Sequence, residues 1–184
     1  MKLLRNWKFA VVLTAIVALC ALVLGVHRSV TKEADKVLTM FTQGVDDSGY
    51  GIEGDLEDRA DYAATLCKVA AKYDGLSDEI DAVNKAVAEL KTADGAGEKY
   101  DANDSLTGAV TALSLAMQSL PLSDADETYR SEYTANFESR GLVIVREAAE
   151  YNEQVSQYAS GVLRSFPVTL LGGLAFLPEV EAFQ

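Results

Sequence analysis

The stretch "YNEQVSQYASGVLRSFP", residues 151–167, decides how the chain is read. Tyr151, Val155, Tyr158 and Val162 recur at steps of four, three and four, which is one face of an α-helix. The helix then meets Phe166-Pro167 and must stop or turn, because proline disfavours helical geometry in the residue before it. Two tyrosines on such a face read as packing. Tyr151, Val155, Tyr158 and Phe166 are expected to pack the last helix, Pro167 to end it, and Asn152 to hydrogen-bond across helices. Followed backwards, the stripe passes through Ala148, Val143 or Ile144, Phe137 and Tyr133. One helix is therefore expected from about Asp124 to Arg164, capped by Ser123, with Gly141 as a bend costing about 1 kcal/mol relative to alanine.

The same period recurs upstream. Ala34, Val37, Leu38, Phe41 and Val45 form one stripe, followed by a glycine-rich acidic break, "DDSGYGIEGD", residues 46–55. Leu56, Ala60, Ala63, Cys67 and Ala70 form the next. Gly75 stops it, and Ser77 is placed as N-cap of a helix bearing Ile80, Val83, Val87 and Leu90. "TADGAGEKYDAND", residues 92–104, reads as a loop, after which Leu106, Val110, Leu113, Met117 and Leu120 run to Pro121. The one β-branched run, "GLVIVRE", has helical flanks. No stripe can bury itself, so the stripes must face one another: an all-α, antiparallel bundle of long helices of four-helix-bundle type.

A different pattern precedes the bundle. "FAVVLTAIVALCALVLGV", residues 9–26, has no charge, and as a helix it is roughly 27 Å long, close to a bilayer's hydrocarbon thickness. Lys2, Arg5 and Lys8 precede it, Trp7 sits at headgroup level, and Arg28 follows. The chain thus divides into a basic tail (1–8), a transmembrane signal-anchor helix (9–26) and an acidic domain (27–184). The apolar run exceeds a signal-peptide core, its one small-residue site is Val23-Leu24-Gly25, and Leu19 before Cys20 disfavours lipidation. The expectation is an uncleaved, single-pass anchor in the cell membrane, whose lipid partner is the bilayer along residues 9–26. Basic residues flank the span on both sides; the free amino terminus and short tail favour the domain outside.

Every one of the 28 acidic residues follows position 32, so from residue 29 onward the charge is 12 − 28 = −16. That field repels nucleic acid and anionic headgroups and favours solubility, cations or basic partners. Cys20 and Cys67 cannot plausibly pair, and Cys67 reads as a small buried apolar residue. The single histidine, His27, lies at the membrane edge, so there is no histidine cluster for zinc and no histidine-based triad in the domain. Phosphate-loop, dinucleotide, nucleophile-elbow and zincin motifs are absent, and no catalytic residue or cofactor is expected. Counted from Asp46, the acidic loop places Ser48, Gly51 and Glu57 at the third, sixth and twelfth positions of a calcium loop, but Tyr50 and Glu53 spoil the fifth and eighth, and it reads as an ordinary turn. Asp58 and Asp61 around Arg59 read as an exposed ion-pair cluster. The apolar tail, "VTLLGGLAFLPEVEAF", is expected to fold back over the bundle, the alternative being contact with the bilayer or a partner.

Taken in order, these features resemble the LemA family of bacterial membrane-anchored proteins. The matching residues are Arg59 and Asp61; Tyr151, Asn152, Val155 and Tyr158; Phe166 and Pro167; and Leu171, Phe176 and Phe183. The specific part covers about residues 151–183. Asp58 stands where the family has a second arginine, "DYAATLC" replaces its D-L-I-P-N-L-V, and Tyr158 is followed by Ala159, so the resemblance is to a divergent member. It implies a helical bundle on a membrane anchor without established catalytic activity, and an amino terminus often placed outside the cell, which leaves orientation open. The expected function is an interaction or scaffold module of the bacterial cell envelope with a protein partner. The alternative is a cation-dependent binder or enzyme centred on the acidic loop 46–61.

Overall fold

The computed structural model describes residues 7–44 and 49–184. Every regular element among them is helical: α1 (Trp7–Gln43), α2 (Ile52–Ala70), α3 (Ser77–Thr92), α4 (Gly95–Gln118), α5 (Asp124–Gln157), a π-helix (Tyr158–Val162) and α6 (Val168–Ala175). The all-α bundle expected from the stripes is what forms. Lys2, Arg5, Val45, Asp46 and Ser48 fall outside the described residues.

The chain divides into two compact units. One comprises residues 1–38 and 154–180, the other 39–153 and 181–184. The second holds the four-helix core, α2 to α5. Its directions follow from which residues meet. Lys72, just past the end of α2, pairs with Asp126 at the start of α5, while Asp55 at the start of α2 meets Arg140 far along α5, so these two helices run antiparallel. Glu53 and Arg59 of α2 meet Lys99 and Asn103 of α4 in the same order, so α2 and α4 run parallel. Leu66, Val83, Leu106, Val110, Leu113, Met117, Phe137 and Ile144 fill the space between them.

In the first unit, Val26, Val30, Ala34 and Val37 of α1 make a buried stripe, and Val168, Leu171 and Ala175 of α6 are buried as well. His27 Nδ1 lies 2.7 Å from the carbonyl oxygen of Ala175 and ties the end of α6 to α1. Between residues 9 and 24 the opposite holds. Phe9, Val11, Val12, Leu13, Ile16, Val17, Leu19, Leu22 and Leu24 are all exposed.

Several boundaries differ from the pattern reading. α2 begins at Ile52, not Leu56, and so takes in the last four residues of the glycine-rich break. Gly51 explains the glycine: a Cβ there would lie 2.6 Å from the backbone at Phe41 and Gly44. The position before α3 is Leu76, with no side-chain cap, and Ser77 is the first helical residue. Much of the expected loop 92–104 is helix, because Ala96 and Ala102 are buried and Lys99 is held by Glu53. Ser123 does cap α5, accepting from the Asp126 N–H at 3.2 Å. α5 itself ends at Gln157 and widens into the π-helix, short of Arg164. The Phe166-Pro167 peptide is cis, and the next helix starts after it. Two members of the expected stripes point outward: Leu38 is exposed, and Phe166 is 80% exposed rather than packing the last helix.

Candidate functional site

The inward face of α2 carries Ile52, Asp55, Leu56, Arg59, Ala60, Ala63, Leu66, Cys67 and Ala70, the i, i+3, i+4 pattern of a buried stripe. Two of these are charged. Arg59 is 3% exposed, so the cluster expected at its neighbours' expense does not exist: Asp61 points to solvent and Arg59 points in. Its guanidinium donates to Asn103 Oδ1 and, at 2.8 Å, to Thr107 Oγ1, both on α4. It lies 3.9 Å from the centre of the Phe137 ring of α5. A Cβ on Gly141, one turn on, would come within 3.5 Å of it, an ordinary contact, so Gly141 borders the guanidinium while sitting within a continuous helix. Burial draws the Arg59 pKa down to about 10, still well above neutral pH, so the group keeps its charge.

Arg59 lies at one side of a cleft of about 920 Å³ between α4 and α5. Thr107, Thr111, Ser114 and Thr134 supply hydroxyls, while Leu115, Leu142 and Val145 form an exposed apolar rim. Arg130 lines the same cleft but is neutralised. It holds Glu127 through two N–H···O bonds, at 2.8 and 2.5 Å, and donates to Ser114 Oγ at 3.1 Å.

A second charged group surrounds Asp55, which is wholly buried. Arg140 donates to Asp55 Oδ1 and pairs with Asp58 Oδ2, each at 3.0 Å, and Tyr50 donates to the same Asp58 oxygen at 2.5 Å. Asp55 Oδ2 and Glu147 Oε2 are buried without partners. Burial raises the pKa of both carboxyls, Arg140 opposing it at Asp55 and the Asp55 charge adding to it at Glu147. Asp55 and Asp58 are held by Arg140, and among the described residues no three His, Cys, Asp or Glu side chains gather as metal-ion ligands.

The residues read from the C-terminal motif are brought to two places. In the second unit, Tyr151 is buried against Phe41, with ring centres 5.3 Å apart, and donates to the Glu181 carbonyl at 2.8 Å. Asn152 does not bridge helices. It pairs with the backbone of Phe183 through both amide atoms, donating at 2.9 Å and accepting at 2.7 Å, and so clamps the C-terminal segment. Phe183 fills the space between Phe41 and Tyr100. In the first unit, Val155 is buried, and so is Tyr158, which donates to the Pro178 carbonyl at 2.9 Å. Pattern reading misses Asn103 and Thr107 beside Arg59, and it reads Phe137 and Gly141 only as a stripe residue and a bend. The signal was there: polar residues at 103, 107, 111 and 114 run beside the apolar stripe of α4. The chain matches no family model, and no curated protein matches it in sequence.

Proposed function

We propose that the chain is a single-pass membrane protein of the bacterial cell envelope, a divergent LemA-type module that holds an acidic helical bundle at the membrane as an interaction or scaffold unit for a protein partner. One observation carries the membrane part: only 6% of the most apolar 18-residue window of α1 is buried. A core helix of that composition would be covered by its own protein. The partner role rests on the resemblance at residues 151–183 and on the exposed rim of Leu115, Leu142 and Val145.

The first unit supports the same reading. Ser165 to Pro178 contains no charged residue, in a chain that is 24% charged. Within it, Phe166, Leu170, Leu174 and Phe176 are exposed, while Val168, Leu171 and Ala175 turn inward. Ala175 is tied to His27, one residue past the apolar span, so an α1 that crosses the bilayer would bring this face to the interfacial layer.

Full-length protein is expected to stay in the pellet after alkaline carbonate extraction and to retain residues 1–26 by intact mass. Release into the supernatant, or a mature chain beginning beyond the apolar run, would overturn the anchor. In lipid vesicles, with Trp7 replaced by Phe, brominated acyl chains should quench a tryptophan placed at Ile16 strongly and one placed at Phe166 partially. Quenching at 16 without any at 166 removes α6 from the membrane surface and leaves the anchor standing.

A further inference from the structure

Four charged residues are buried among those described: Asp55, Arg59, Asp126 and Arg130. Three have a counter-ion. Asp55 has Arg140, Asp126 has Lys72 and Arg130 has Glu127. Arg59 has none among the described residues; its partners there are the neutral oxygens of Asn103 and Thr107 and the face of Phe137. A buried charge without a counter-charge is expensive, which is why such groups are almost always paired. A guanidinium carries five N–H donors, and two are used here, so three remain. One of the three is Nε–H, which is buried without any acceptor. Nε and an adjacent terminal nitrogen form the fork that takes a two-oxygen anion.

The surroundings narrow the anion. The cleft that Arg59 lines has the volume of a small-molecule site, and it combines hydroxyls with an apolar rim at Leu115, Leu142 and Val145. Asp104 and Glu138 also line it, and the domain carries −16 overall. Each further negative charge on a ligand is repelled by that field, which disfavours phosphates and polyanions and leaves a single carboxylate on an apolar body.

We propose that the cleft between α4 and α5 binds an amphipathic monocarboxylate, its carboxylate on the unpaired guanidinium of Arg59 and its apolar chain along Leu115, Leu142 and Val145. The site goes beyond the membrane-scaffold reading and stands or falls independently of how the chain is anchored. Arg59 is then the binding residue, with Asn103, Thr107 and Phe137 as its positioning residues.

The test uses the full-length protein in phosphatidylcholine nanodiscs, with sodium octanoate as probe and octanol and acetate as controls. Octanoate should raise the thermal midpoint by several degrees at saturating concentration, through ligand linkage, while octanol and acetate leave it nearly unchanged. In the amide spectrum the Arg59 Nε–H resonance should shift on adding octanoate. Arg59→Met removes the charge and keeps the bulk. It should fold and should lose the octanoate response. Leu142→Asp lies on the exposed rim, away from the core, and should weaken octanoate by roughly tenfold or more through like-charge repulsion. An equal response to octanol and octanoate would reduce the cleft to a plain apolar groove and overturn the proposal. So would an undiminished octanoate response in Arg59→Met, or no response to octanoate in the parent protein.

Discussion

Tyr151→Ala should lower the thermal midpoint of the full-length protein in nonionic detergent by about 10 °C, followed by the helical circular-dichroism signal. Tyr151 is 1% exposed, packs on Phe41 and spends its hydroxyl on the Glu181 carbonyl. Burial pushes its phenol pKa up to about 12, as expected of a ring removed from water. Truncating a buried aromatic side chain costs about 3–5 kcal/mol, and each kcal/mol moves the midpoint by about 2–4 °C in a chain of this size. Alanine also loosens the end of the chain, since it removes the bond to the Glu181 carbonyl and uncovers the Phe41 ring on which Phe183 packs. Tyr151→Phe separates the two contributions. It keeps the ring and loses one hydrogen bond, worth about 1 kcal/mol. A midpoint for Tyr151→Ala within about 2 °C of the parent would show that the ring is not part of the core.

The helices were legible because their stripes are long and regular, and position 151 belongs to such a stripe. What failed was local. "TADGAGEKYDAND" looks like a loop because alanine, glycine and acidic residues carry little periodic signal. It is largely helical because Ala96 and Ala102 are small enough to pack and Glu53 anchors Lys99. Phe166 reads from the sequence as packing the last helix. The turn at the cis Phe166-Pro167 peptide leaves it outside, and no period reports a turn's direction.

The site was less legible than the fold, for a physical reason. The sequence pairs Arg59 with Asp61, yet two residues apart on a helix they point about 200° away from each other. One of them had to face the bundle, and composition favoured neither. The structure puts the arginine inside, where its environment comes from α4 and α5, 44 or more residues away. Helical spacing within α2 names the face but not what lies across it. The same holds for Asp55, whose counter-ion is 85 residues distant.

Arg140→Ala should be the most damaging change to a charged residue outside the cleft, and its cost should grow with pH. Arg140 is the counter-ion of wholly buried Asp55 and also pairs with Asp58. Removing one partner of a buried pair costs about 3–5 kcal/mol; Arg140 is itself 36% exposed, so water offsets part of this and about 2–3 kcal/mol is expected. The sign of the pH dependence follows from the carboxyl. Burial raises the folded-state pKa of Asp55 above its unfolded value, with Asp58 adding to the rise and Arg140 and Arg146 opposing it. A group raised in this way contributes most below its unfolded pKa, and stability is lost as pH climbs through the folded pKa. Without Arg140 the folded pKa rises further, so the window of loss extends towards neutral pH. Glu147, raised in part by the same Asp55 charge, moves in the same direction. Thermal midpoints at about pH 4.5 and about pH 8 should therefore show a small deficit for Arg140→Ala in acid and a large one in base. Adding Asp55→Asn to Arg140→Ala removes the stranded charge and should recover most of the loss at the higher pH. A deficit that is equal at both pH values, or that Asp55→Asn leaves unchanged, would mean that Arg140 acts by packing on Tyr50, 5.4 Å from its guanidinium, and not by holding a buried carboxylate.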